Sequence, residues 1–389
     1  MRPLVLGLAL ALSTAAVACT SADETADDPP PEAPPEDVDG AIESGGDDQG
    51  AVDEEVEVAW GAVTTQLEDA ADSMPASGMT LVVRDDEGTV RYRHTVGGFE
   101  PDARIPVASA TKLVAALVVL RQIQQGELAL DATTGEVLGW SGANADITVD
   151  HLGSFTSGYE DSLGCGYVPR GTLESCVATI ADRPPQHPPG EFLDYSNLHL
   201  HVAGRMVEVA DGRSWNTVFR EDLAEPLGLD DPELRFVTNP EQQSGSTNPL
   251  VAGGLLATTD EMDAFWALVL SGGVAPDGER LLDEALVQRL FQNPYNDATL
   301  GHTPYQGVGL DYRYGFGTWL ECPNSPSSCD VVSSPGAYGF TPWVDRTRAY
   351  TGILAMKGDL RTATSFAVPL QQDLRPLVEH AIDLEAEAT

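Results

Sequence analysis

The stretch S-A-T-K-L-V-A-A-L-V-V-L-R-Q-I-Q-Q-G, residues 109–126, decides how this chain is read. Positions 110–125 are rich in Ala, Leu and Val, and Gly126 stands where a helix C-cap wants a left-handed residue. The pattern predicts an amphipathic helix ending there. At its start, Lys112 follows Ser109 by three residues. If the helix begins at Ser109, that spacing puts amine and hydroxyl on one face, within reach of each other. A weak nucleophile needs a base at hydrogen-bond distance, and a helix N-terminus offers free N–H groups and partial positive charge to a developing oxyanion.

Lysine usage sharpens this. Two of the 21 basic residues are lysines, Lys112 and Lys357, and the rest are Arg. Arg stays protonated in proteins, whereas a buried Lys can lose its proton and act as a base. Lys357, in M-K-G-D, reads as an exposed charge at a strand end. Taken alone, S-x-x-K also fits an ordinary helix start with Ser as N-cap. A second element is P-P-G-E-F-L-D-Y-S-N at 188–197, which places Tyr195 and Asn197 two apart before a helical pattern. A phenol there can pass a proton to a leaving group, and an amide can hold the Lys amine or a substrate carbonyl. By themselves the two also fit a packed Tyr and an N-capping Asn.

Working outward, residues 79–84 and 89–96 read as a hairpin across the Asp-Asp-Glu-Gly turn at 85–88. Helical patterns recur near 198–210, 215–224 and 259–271, and strand signals return at 314–320, 337–346 and 349–356. Strands at both ends with helices between predict an α/β chain of α+β type, its sheet assembled from both termini around a helical insertion. No internal repeat is visible.

The chain has 389 residues and a net charge of −40. The length supports one large domain or two ordinary ones, and 42% hydrophobic residues exclude wholesale disorder. The acidity argues against nucleic acid and anionic membranes as partners, and makes small anionic substrates less welcome. Residues 1–19 have Arg2, an apolar run from Leu4 to Val17 and small residues at A-V-A-C, the layout of an export signal. Ala16 and Ala18 suit ordinary signal cleavage, while Cys19 resembles the lipidated cysteine of bacterial lipoproteins, with Ala16 where their motif prefers Leu. Of the five cysteines, Cys165, Cys176, Cys322 and Cys329 form two close pairs, leaving Cys19 over. An exported chain would oxidise the four, and Cys165–Cys176 with Cys322–Cys329 is the favoured one of three connectivities. Each short loop is worth roughly 2–3 kcal/mol. The odd Cys19 reads as a lipid anchor. Residues 20–58 are rich in Asp, Glu, Pro and Gly without Lys or Arg, and read as an acidic, disordered tether before a domain at 59–389.

S-x-x-K followed by Y-x-N resembles the serine β-lactamase and penicillin-binding protein superfamily, in its class C β-lactamase-related branch. I-T-V-D-H-L-G-S-F-T-S-G-Y at 147–159 is similar to that family's I-T-V-R-H-L-L-T-H-T-S-G-L, with Phe155 where His is usual. L-A-E-P-L-G-L at 223–229 and G-G-L-L-A-T-T-D-E-M at 253–262 match two further segments, so the resemblance covers about 60–380. It implies an antiparallel sheet flanked by helices, a mostly helical second region and an active site between them. It also implies Ser109 as nucleophile, Lys112 and Tyr195 as the groups that take its proton and supply the leaving group's, either of them the base in a given step, and Asn197 as orienting amide. The sequence has no phosphate loop and no cofactor signature, and no metal is expected.

The third family motif departs. Where the family has Lys or His before a Gly, S-S-P-G-A-Y-G-F-T-P-W-V-D at 333–345 offers Ser334, Pro335 and Gly336. No basic residue there grips a carboxylate, which weighs against β-lactams and D-Ala-D-Ala peptides. Ser334 and Gly336 are expected beside the substrate, and the Ala337 N–H is expected to join that of Ser109 as the oxyanion hole. Arg346 and Arg348 are read as substitute anion grips or as solvated strand charges. G-W-S-G-A at 139–143 nearly fits a nucleophile elbow but lacks the strand–turn–helix context. His199 and His201, two apart on a helix, point apart and do not suit one metal.

These observations predict an exported, lipid-anchored serine hydrolase acting through an acyl-enzyme on an ester or amide. The alternatives are a β-lactamase, a D-Ala-D-Ala carboxypeptidase or D-amino-acid peptidase, or a catalytically silent envelope lipoprotein that binds peptidoglycan or a protein.

Overall fold

In the computed structural model the described residues are 46–160, 164–323 and 327–388. The export signal, Cys19 and positions 20–45 of the expected tether lie outside them.

The hairpin forms as its alternation predicts. Strands β1 (Gly78–Asp85) and β2 (Val90–Gly97) pair antiparallel from Gly78 opposite Gly97 to Arg84 opposite Val90. The turn is built by Asp85, whose Oδ1 accepts from the N–H groups of Glu87 and Thr89 at 3.1 and 2.7 Å, with Gly88 at φ +81°. Five later strands complete the sheet: β3 (Arg313–Tyr314), β4 (Trp319–Leu320), β5 (Val331–Ser333), β6 (Thr341–Asp345) and β7 (Tyr350–Met356). The order is β2-β1-β7-β6-β5-β4-β3, antiparallel throughout. The first strand therefore pairs with the last, Met79 opposite Met356 and Asp85 opposite Tyr350.

Two strand boundaries differ from the sequence expectation. The run at 314–320 is a tight corner between β3 and β4, because Gly317 takes φ +85° and the Gly315 N–H closes onto Thr318 O at 2.8 Å. The run at 337–346 becomes strand only at Thr341. Residues 334–340 form the loop joining β5 to β6, closed by the Gly336 N–H on Phe340 O at 2.7 Å and turned by Gly339 at φ +90°.

Both faces of the sheet are covered. Met79, Leu81, Val83, Tyr350, Leu354 and Met356 pack with residues of helices α1 (Gly46–Ala71) and α6 (Ala363–Ala388), Val63, Leu67, Leu370 and Leu374 among them. Ile353 and Ala355, offset by one, join the main core. This period of two turns one strand's alternate residues toward two cores. Helix α1 starts at Gly46, inside the stretch expected to be a tether. Its buried residues Ala59, Val63 and Leu67 recur every fourth position, and the helix extends back from that packed end.

The main core surrounds α2 (Thr111–Gln125), whose residues from Thr111 to Leu120 are all buried. Amphipathic was the expectation; enclosure between the sheet and the helical region instead buries it all round at this end. Gly126 caps it at φ +84°, as its position predicts. The helical region includes α3 (Leu173–Ala181), α4 (Leu198–Asp211) and α5 (Thr259–Leu270). Cys165–Cys176 and Cys322–Cys329 are the disulfides, with Cα atoms 5.2 and 5.7 Å apart. No helix among the described residues is long and apolar enough to cross a membrane.

Gly352 in β7 faces Trp343 in β6, and a Cβ on it would sit 2.2 Å from the indole ring. Gly352→Ala is expected to destabilise the fold by about 1–3 kcal/mol through overpacking, read from the urea unfolding midpoint.

Candidate active site

Ser109 does not begin the α-helix. It lies in a single 3₁₀ turn, Ala108–Ala110, and α2 starts two residues later at Thr111. The turn is made sharp by Ala108, a non-glycine residue held at φ +47°, a conformation that persists only where its surroundings impose it. Those surroundings are on two sides. The Val107 N–H donates to Leu255 O at 3.2 Å, and the Leu255 N–H donates to Thr111 Oγ1 at 3.2 Å. Opposite, the β5–β6 loop presses in at Gly336, where a Cβ would meet Val107 O at 2.1 Å.

Two residues expected beside a substrate are engaged with the serine turn. Gly336 is small enough for that turn to lie against it. Ser334 is buried, and its Oγ donates to the Ser109 carbonyl oxygen at 3.1 Å. It braces the backbone of Ser109.

Lys112, on the first turn of α2, is fully buried. Its Nζ donates to Ser109 Oγ at 3.0 Å, Asn197 Oδ1 at 3.0 Å and Ala252 O at 2.8 Å. Burial disfavours the ammonium and brings its pKa down to about 7. Tyr195 lines the same cleft as Ser109 and holds its ring 4.8 Å from Lys112 Nζ. Burial raises its pKa and the Ser109 hydroxyl opposes this only partly, so the phenol stays protonated at neutral pH.

The support behind Tyr195 is aromatic. Its ring stacks on Trp319 at 5.0 Å and meets Tyr314 edge-on at 5.9 Å. Phe155, at φ +59°, lies 5.3 Å from it and stacks on His199 and Tyr314 at 4.6 and 4.4 Å. The residue that departs from the family stretch is thus part of the wall positioning the phenol. Asn197 precedes α4 but caps nothing with its side chain, which is committed to Lys112.

His199 and His201 do not converge. His199 lies between Ser157 Oγ and Asp194 O, both at 2.7 Å, and His201 Nδ1 donates to Asn197 O at 2.9 Å. Burial lowers their pKa values to about 3 and about 4, so both are neutral. Among the described residues, Glu160, His187 and Asp194 bring donor atoms within 4.8 Å of one another. His187 Nε2 already pairs with Glu160 at 2.5 Å, and Asp194 Oδ1 accepts from the His302 N–H at 2.9 Å. Ser141 follows the helix Thr134–Leu138, between Gly139 at φ +70° and Gly142 at φ +65°, with no strand leading in.

A cleft of about 340 Å³ opens over Ser109, lined by Tyr195, Tyr305, Trp319, Leu360 and Ala337 among others. Arg361 is the one cation among its described lining residues. It sits at the rim, 89% exposed, beside Asp359 at 3.5 Å. Neither expected anion grip faces the cleft. Arg346 pairs with Asp330 at 2.7 Å and lies 3.7 Å over Phe291, while Arg348 pairs with Asp383 at 2.8 Å and Glu379 at 3.6 Å. The Ala252 carbonyl, the Tyr305 and Trp319 walls and Tyr167, whose oxygen accepts from Asn197 Nδ2 at 3.2 Å, went unread in the sequence. A backbone acceptor has no residue signature. Only the match at 253–262 pointed near Ala252.

Residues 66–367 match the family described as Beta-lactamase. Penicillin-binding protein 4 of Amycolatopsis lactamdurans is 31% identical over 336 residues, covering 77% of this chain and 85% of that protein. Esterase EstB of Burkholderia gladioli is 31% identical over 350 residues, covering 72% of this chain and 88% of that one. Among solved structures, EstCE1, a hydrolase with promiscuous acyltransferase activity, superposes with TM-score 0.66 at 18% identity over 83% of this chain and 99% of that one. A penicillin-binding protein homologue from Pyrococcus abyssi gives 0.61 at 17% identity, over 85% and 77%. These two show the same antiparallel sheet flanked by helices. The family match spans the Ser109 turn, the β5–β6 loop opposite it and all seven strands of the sheet, and the chain belongs to the Beta-lactamase family, within the serine β-lactamase and penicillin-binding protein superfamily.

Proposed function

We propose that this chain is an exported serine hydrolase, related to the class C β-lactamase branch, that acts through an acyl-enzyme on a neutral ester or amide. The observation that carries the reading is the Ser109 hydroxyl 3.0 Å from a buried amine whose pKa is about 7. Half of such an amine is unprotonated at neutral pH, and a general base works best with its pKa near the working pH.

In the proposed sequence Ser109 Oγ attacks the substrate carbonyl carbon as its proton passes to Lys112 Nζ. The carbonyl oxygen becomes an oxyanion held by the N–H groups of Ser109 and Ala337. As the intermediate collapses, the bond from the carbonyl carbon to the leaving oxygen or nitrogen breaks while that atom takes the Tyr195 proton, so a neutral alcohol or amine departs, and the Lys112 ammonium gives its proton to the phenolate, restoring both groups. Water then attacks the acyl-Ser109, and the same groups release the acid. Asn197 holds the amine aimed at Ser109 throughout.

The apolar, aromatic cleft supports a neutral substrate, as does the lack of a base at Ser334-Pro335-Gly336. The second reading, a β-lactamase or a D-Ala-D-Ala carboxypeptidase, is favoured by the relative named penicillin-binding protein 4. A silent envelope protein would have no need of a dry amine at a serine. Export, with lipid attachment at Cys19, is supported by the layout of residues 1–19 and by the two disulfides, which suit an oxidising compartment.

Treating the purified protein with a fluorophosphonate should place a stoichiometric adduct on Ser109 by peptide mass spectrometry. Lys112→Ala should slow labelling by about 10²-fold or more. No adduct with either this probe or a penicillin would sink the hydrolase reading. Because Lys112 must be unprotonated to accept the proton, kcat/KM for an aryl ester should rise with pH through a limb near 7 and level above it. A profile flat from pH 5 to 9 would remove Lys112 as base. Cephalosporin turnover faster than aryl-ester turnover would favour the second reading. Gly336→Ala, which pushes the hairpin off Val107, should lower kcat at least about tenfold by misplacing the Ala337 N–H.

A further inference from the structure

We propose that Tyr167, carried on a loop pinned by the Cys165–Cys176 disulfide, is a positioning residue that keeps the amide of Asn197 turned with its oxygen toward Lys112. The inference builds on the reading of Lys112 as the base. The two ends of an Asn amide have nearly the same shape, so their partners decide which way it points. Lys112 Nζ donates to Oδ1 at 3.0 Å, and Nδ2 donates to the Tyr167 phenol oxygen at 3.2 Å. In this orientation the amide accepts from the amine whether or not Nζ carries the extra proton. Turned over, it would aim N–H groups at an ammonium, which disfavours the charged form.

The loop holding Tyr167 is fixed on three sides. Cys165 is bonded to Cys176 on α3, and the Asn248 amide donates to Cys165 O at 2.7 Å and Val168 O at 3.2 Å. Gly166 lies against His201, where a Cβ would come within 2.9 Å of Nε2. His201 in turn donates from Nδ1 to the Asn197 carbonyl. One loop thus secures Asn197 twice, at its backbone through His201 and at its amide through Tyr167. The Tyr167 side chain is otherwise half-exposed, at 51%, so its hydroxyl can be removed without opening the core.

The chain has two lysines, and Lys357 is exposed. The full protein labelled with ¹³Cε-lysine therefore gives two signals, one a built-in reference, and Lys112 can be titrated with no substrate present. The titratable groups facing it are Tyr195, His199 and His201, with Ser109, Asn197 and the Ala252 carbonyl as neutral neighbours. Tyr167→Phe should move the Lys112 midpoint down by about half a pH unit, the scale of one neutral hydrogen bond, and leave Lys357 unmoved. In the Asn197→Ala background the same change should do nothing further. An unmoved midpoint, or a shift of equal size without the Asn197 amide, overturns the proposal. Failure of Ser109 to label with fluorophosphonate or penicillin overturns the hydrolase reading instead, and leaves this titration result standing.

Discussion

Lys112 carries an amine to a place where none of the side chain meets water, and the surrounding structure is arranged to keep it there. Lowering a lysine pKa from 10.5 to about 7 corresponds to a desolvation penalty of order 5 kcal/mol. The unfolded chain binds more protons than the folded one between about pH 7 and 10.5, so this penalty is full below 7 and eases as pH climbs through that window. The fold offsets it with three acceptors, the Ser109 hydroxyl, the Asn197 amide oxygen and the Ala252 carbonyl, each from a different part of the chain. No carboxylate is among these acceptors, in a protein of net charge −40. An acid in that position would hold the ammonium charged and keep the amine from accepting a proton.

The larger architecture serves the same end. The sheet presents the β5–β6 loop to the Ser109 turn, and Gly336 lets the two backbones touch. Strain at Ala108 is sustained by that contact and by the Leu255 hydrogen bond on the other side. The aromatic stack of Tyr195, Trp319, Tyr314 and Phe155 walls another side. Ser334 then acts as a strut, tying the loop to the Ser109 carbonyl.

Much of this was legible in residue types. The Asp85–Gly88 turn, Gly126 as a C-cap, the rarity of Lys and the Tyr195–Asn197 pair each state a local physical need. What escaped reading depends on contacts between distant segments. The delayed start of α2 comes from Gly336 and Leu255 acting on Ala108. The true neighbours of Gly336 and Ser334 belong to a turn more than two hundred residues earlier. Phe155, noticed only as a departure, gains its meaning from rings at 195, 199 and 314.

The pairing of β1 with β7 bears on how this molecule comes into being. Strands drawn from positions 78–85 and 350–356 cannot meet until nearly the whole chain is available, and a contact spanning that distance is slow to form. Until then β1 and β2 make a two-stranded ribbon, which is marginal in water. The β5–β6 loop that bounds the serine also comes late, so a partly made chain has Ser109 and Lys112 without the enclosure that dries the amine. The geometry of that pair is therefore assembled only once nearly the whole polypeptide is in place.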